Sequence, residues 1–154
     1  MTIPEQQPQP DSATDLQTAR IDALVGDWLN VPGVADRLGT KVTSVRSALS
    51  DRRIVGMKRG ERNIFSIPEQ FLVPVHLSNP AERKPVDVPE GESEQVIILP
   101  ALKGTIIQLA DVGYSDPEII EWLFTVEESL GETPMAALRG GRKSAVRRAA
   151  QGLG

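Results

Sequence analysis

A chain of 154 residues that is 40% hydrophobic but only 4% aromatic can build one modest core, resting on Val, Ile, Leu and Ala. The absence of cysteine excludes disulfides and thiolate metal sites, and a single histidine, His76, leaves too few ligands for a His-based metal or catalytic cluster, so no enzyme activity and no cofactor is expected. The formal charge of −4 is distributed in blocks: net −4 over residues 1–40, +5 over 41–62, −10 over 63–138 and +5 over 139–154. A local basic face can bind phosphate even when the whole chain is acidic.

Residues 1–15, rich in Pro, Gln, Ser, Thr and Asp, have little to bury and read as a disordered tail with hydroxyls at Thr2, Ser12, Thr14 and Thr18 nearby. Leu16, Ala19, Ala23, Leu24 and Trp28 follow at helical spacing and predict a helix with these residues on its inner face. A short helix over Val31–Leu38 tolerates Pro32 in its first turn, and Gly39 is a natural left-handed terminator. Thr43 is placed to cap a second helix over Ser44–Ser50, with Val45, Ala48 and Leu49 facing inward. Two β-prone runs, 54–58 and 63–67, are joined at Arg59-Gly60-Glu61-Arg62 and predict a hairpin. Pro68-Glu69-Gln70 reads as the opening of another helix, with acid near its positive dipole end.

Residues 78–95 are dense in proline and acid and read as a linker or long loop. Val96–Val112 has helical spacing through Ile97, Ile98, Leu102, Ile106 and Leu109, with Pro100 moving the helix start to about Leu99. Ser115-Asp116-Pro117-Glu118 is a helix start: a cap, a proline in the first turn, and an acid at the dipole. Pro134–Leu138 begins one more helical turn, Gly140-Gly141 breaks it, and Arg142–Gln151 predicts a basic terminal helix with Ala145, Val146, Ala149 and Ala150 on one side. The two tryptophans, Trp28 and Trp122, read as core anchors.

The fold class that follows is mainly α: a winged helix-turn-helix over residues 16–77, with a small β-hairpin wing, and a C-terminal helical region over 96–154 packed on it. Seven of the seventeen Lys and Arg residues fall between Lys41 and Arg62, in helix, turn, helix, hairpin order. A recognition helix lays its N-terminal half in the major groove. Thr43, Ser44, Arg46, Ser47 and Ser50 would face outward there, and Arg46 is the one long side chain able to grip a guanine bidentately. Lys41 belongs to the same basic stretch, and Arg52 and Arg53 would meet backbone phosphate. Lys58, Arg59 and Arg62 would form the tip of the wing, setting affinity and salt dependence. The expected partner is double-stranded DNA, with a homodimer or another protein engaged through residues 96–154. Arg142-Lys143 and Arg147-Arg148 would either touch phosphate or dock on the acidic block. No run approaches the ~20 apolar residues of a membrane span, and the first residues lack the basic and apolar regions of a secretory signal. A cytoplasmic, nucleoid-associated protein is expected.

The run VADRLGTKVTSVRSALSDRRIVGMKRGERNIFSIPEQFL resembles a small family of actinobacterial, chiefly mycobacterial, DNA-binding proteins with a winged helix-turn-helix. The run GYSDPEIIEWLFTVEESLGETPMAALRGGRKSAVRRAAQGL resembles the C-terminal region of the same family, so the resemblance covers about residues 16–153. It implies transcriptional regulation or nucleoid association. One member is phosphorylated by a Ser/Thr protein kinase on a threonine of its N-terminal tail, which implies Thr2, Ser12 or Thr14 as a modification site here. The segment WLF…LGETPMAALRGGRKSAV is also similar to the toxin-binding region of antitoxins. That likeness implies an alternative role as a protein-interaction module.

Overall fold

The computed structural model describes residues 13–75 and 95–153. Seven helices and five short strands follow in the order α1 (Ala13–Val25), β1 (Trp28–Asn30), α2 (Val31–Leu38), α3 (Val42–Ser50), β2 (Met57–Arg59), β3 (Ile64–Pro68), β4 (Leu72–Pro74), β5 (Val96–Ile98), α4 (Leu102–Asp111), α5 (Asp116–Leu123), α6 (Pro134–Arg139) and α7 (Lys143–Gln151).

α1 departs from its predicted face. Ile21 and Val25 are buried, whereas Leu16, Ala19, Ala23 and Leu24 face solvent. The helix begins at Ala13, three residues earlier than the tail boundary expected, and ends at the left-handed Gly26. Trp28 therefore lies in β1 rather than at the end of a helix. Thr18 is half-buried and has a polar partner rather than a free hydroxyl.

α2 and α3 form the helix-turn-helix. Asn30 caps α2 by accepting from the Gly33 N–H at 2.7 Å, which contributes about 1 kcal/mol. Gly39, at φ +66°, ends α2 as predicted: its own N–H reaches the Asp36 carbonyl, and that of Thr40 reaches Ala35. α3 ends on the same pattern of hydrogen bonds, with the N–H of Arg52 on Leu49 and that of Arg53 on Ala48. Here the left-handed position is taken by Arg52, at φ +63°, a conformation costing a non-glycine residue about 1 kcal/mol or more.

The wing is a three-stranded antiparallel sheet of order β1-β3-β2. Met57 pairs with Ser66 and Arg59 with Ile64, leaving a four-residue loop whose Gly60 and Asn63 adopt positive φ. Gly56 is required where β2 begins, because a Cβ there would stand 2.6 Å from the Phe65 ring and 2.7 Å from the Ser66 carbonyl oxygen. The helix expected from Pro68 is a single 3-10 turn, Glu69–Phe71, and the chain re-extends at once into β4.

β4 pairs antiparallel with β5, Val73 opposite Ile97. Ile97 and Ile98 are strand residues, contrary to the helical expectation, and α4 starts only at Leu102. All but Gln95 of the expected linker lies outside the described residues. α5 begins with a full capping box: Ser115 Oγ accepts from the Glu118 N–H, and the Glu118 carboxylate accepts from the Ser115 N–H at 3.0 Å. Thr133 caps α6 in the simpler way, accepting from the Ala136 N–H at 3.1 Å.

One hydrophobic core joins both halves, from Ile21, Val34, Val45 and Phe71 to Leu102, Ile120, Met135 and Val146. Polar ties reinforce it. Arg52 meets Asp116 at 2.6 Å, and Arg20 meets Glu121 at 2.6 Å. Arg139 donates to the carbonyls of Gln70 and Leu72.

Candidate nucleic-acid interface

The sequence of α3 separates its two faces by helical periodicity. Val45 and Ala48 are fully buried and Leu49 is half-buried, so Thr43, Ser44, Arg46, Ser47 and Ser50 are left exposed. The helix starts at Val42, two residues earlier than expected, and Lys41 takes the cap position without a side-chain hydrogen bond. Thr43 is therefore not the cap. It stands in the first turn with its hydroxyl exposed, and no side chain satisfies the leading N–H groups, which suits them to an anionic oxygen.

The seven bases of the 41–62 block divide into two kinds. Lys41, Arg46, Lys58 and Arg62 are exposed and form no ion pair within the described chain. Arg53 is also exposed, and among the described residues its one ion pair is a long contact, 3.9 Å, to Asp51. Arg52 and Arg59 are engaged. Arg52 is half-buried and holds Asp116 at the start of α5. Arg59 meets Asp22 of α1 at 2.9 Å, lies 5.1 Å over the Trp28 ring, and has its Nε buried without a hydrogen-bond partner.

These two positions correct the expectation that all the bases serve DNA alike. For Arg59 the signal was present in the sequence. Strand side chains alternate, and Met57 is buried on one face of β2, so Arg59 shares that inward face while Lys58 takes the outward one. For Arg52 no local signal exists, because its partner lies 64 residues away.

Thr2 and Ser12 lie outside the described residues, as does His76; Thr14 falls in the first turn of α1. A groove beside the wing is lined by Asp15, Thr18 and Asp22 of α1 and by Lys58, Glu61 and Asn63 of the hairpin. Among the described residues no group of three His, Cys, Asp or Glu could hold a metal ion, and no helix is long and apolar enough to cross a membrane.

A helix-turn-helix followed by a β-hairpin, which β1 completes into a three-stranded sheet, with an exposed Arg-bearing second helix, defines a winged helix-turn-helix protein. Residues 18–72 match the family model described as DNA-binding protein Rv2175c, wHTH domain, and residues 99–154 match that of the Rv2175c C-terminal domain of unknown function. The chain belongs to this family of winged helix-turn-helix DNA-binding proteins. It is similar to the solution structure titled "NMR structure of Rv2175c", at 26% identity and a TM-score of 0.58, over 83% of this chain and 82% of that one. A search of curated proteins returns no match.

Proposed function

We propose that this protein is a transcriptional regulator or nucleoid-associated protein that reads the major groove with the first half of α3 and grips phosphate with its wing. The observation that carries this is the exposed Arg46, with no ion pair among the described residues, on a helix whose other outward residues are small hydroxyls. Small side chains allow the helix backbone close approach, while one Arg supplies bidentate contact with guanine. Lys41, Lys58, Arg53 and Arg62 supply sequence-independent contacts. Fluorescence anisotropy at two salt concentrations tests it. Affinity that falls steeply with salt is expected; absence of binding at about 50 mM salt, where phosphate contacts are strong, refutes the reading.

Control by phosphorylation is the second element of the proposal. The start of α1 lies against the wing, in the groove that also contains Lys58. A phosphate on Thr14, or on Thr2 or Ser12 further up the tail, adds about −1.5 to −2 charge and would compete with DNA for Lys58 and Arg62. A Ser/Thr protein kinase is the implied partner. Thr14→Glu should weaken binding at low salt, and unchanged affinity sinks the switch.

The antitoxin-type alternative has less support. The segment 132–141 that would meet a toxin spends its apolar residues internally: Met135, Ala137 and Leu138 are buried in the core.

A further inference from the structure

Residues 139–154 hold five bases and no acid. Two of the five are occupied. Arg139 donates to backbone carbonyls of the winged domain, and Arg142 reaches Glu132 at 3.0 Å and the Leu130 carbonyl at 3.1 Å. Lys143, Arg147 and Arg148 remain exposed, with no ion pair among the described residues. α7 docks on the protein through its other face, where Val146 and Ala150 are buried. The basic side is thus not what fastens the helix in place.

The position of these cations links them to α3. Lys143 and Arg147 line a groove with Gly104 and Gln108 of α4, bordered by one acid, Asp111. The Gln108 amide donates to the Arg147 carbonyl at 3.0 Å, clipping the two helices together. Lys103, next in the chain to Gly104, lines a second groove with Ser44 and Arg53. Cations therefore continue from the recognition helix, across the first turn of α4, to α7.

We propose that Lys103, Lys143, Arg147 and Arg148 extend the DNA-binding surface, holding backbone phosphates of the duplex that α3 reads. This rests on the DNA-binding reading above and assigns a role to the C-terminal region. Charge complementarity identifies the occupant: a row of exposed cations, unpaired among the described residues, matches the dense negative charge of a duplex, about one per 1.7 Å of axis. The residues 139–154 include no aromatic side chain on which unpaired bases could stack. Lys and Arg on an exposed helix face contact phosphate without reading sequence.

The test compares the full chain with Lys143→Gln/Arg147→Gln/Arg148→Gln on duplexes of about 12 base pairs, little more than one turn, and about 30 base pairs. Anisotropy titrations across a salt series give the slope of log affinity against log salt. The variant should lose about 2–3 from the slope on the long duplex, near 0.9 per phosphate contact, and should change little on the short one. A wild-type protein that binds both duplexes, with the variant showing the same slope on the long one, overturns the proposal. Unaltered DNA binding combined with lost retention on immobilised polyglutamate overturns it in favour of an acidic protein partner. A wild-type protein that binds neither duplex refutes the underlying DNA reading instead.

Discussion

Replacing Arg59 and replacing its wing neighbours should give two separate phenotypes. Arg59→Gln removes the 2.9 Å contact with Asp22 and the 5.1 Å stack on Trp28. With the two side chains of the ion pair 28% and 31% exposed, the pair is worth about 0.5–1 kcal/mol and the cation–π contact about another 0.5–1. In a chain of this length a loss of 1–2 kcal/mol lowers Tm by about 2–8 °C. The slope of log affinity against log salt should stay where it was, because the guanidinium is committed within the protein. Lys58→Gln/Arg62→Gln should do the reverse. Neither side chain has an ion pair among the described residues, so Tm holds, while two lost phosphate contacts cut the slope by about 1.8. Between about 200 and 50 mM salt, the wild type's advantage over that double variant then grows about 12-fold. Thermal unfolding by circular dichroism and anisotropy titration read the two quantities independently. An Arg59→Gln protein with unchanged Tm and a slope reduced by about one would refute the reasoning.

Arg46→Ala should lower discrimination at a single base pair by about 1–3 kcal/mol, measured on duplexes substituted one position at a time; an equal loss on every sequence would make Arg46 a phosphate contact. Gly56→Ala should destabilise the fold by about 1–3 kcal/mol through overpacking, since the added methyl meets backbone as well as the Phe65 ring; an unchanged Tm would contradict that close approach. The Glu118 carboxyl is held below its ordinary range by the Ser115 N–H first and the Ser115 hydroxyl second. A lowered folded-state pKa stabilises above the unfolded value and loses that contribution as pH falls through the folded one. The margin of wild type over Glu118→Gln should thus be full at neutral pH and fade below about pH 4.5; a margin constant down to pH 3 would sink the argument.

Local chemistry was legible in the chain wherever one element decides its own form. Gly39, Ser115 with Glu118, Gly140-Gly141 and the 3.6-residue period of α3 each act within a few residues. The outward set Thr43, Ser44, Arg46 and Ser47 followed from that period alone. Reading failed where pairing across the fold decides. Ile97 and Ile98 fit a helix as well as a strand, and what makes them a strand is β4, more than twenty residues earlier. The buried face of α1 is not decided by its own sequence, because alanines and leucines lie on all sides of it; contact with α5 and β2 fixes it.

The ties between the two halves bear directly on recognition. α3 ends in a left-handed Arg52, a conformation that a non-glycine residue keeps only when its surroundings hold it. The surroundings here are Asp116, in the first turn of α5. The C-terminal region thus braces the exit of α3, the helix proposed to read DNA, while its strand β5 pairs with β4 and its Arg139 secures the backbone at Gln70 and Leu72. Misplacement of a base-reading side chain by about an ångström is enough to lose a bidentate contact, whose hydrogen bonds weaken steeply outside 2.7–3.2 Å. Asp116→Asn should accordingly reduce discrimination between sequences more than it reduces binding to random duplex. An equal loss on both would show that the brace supports the fold alone.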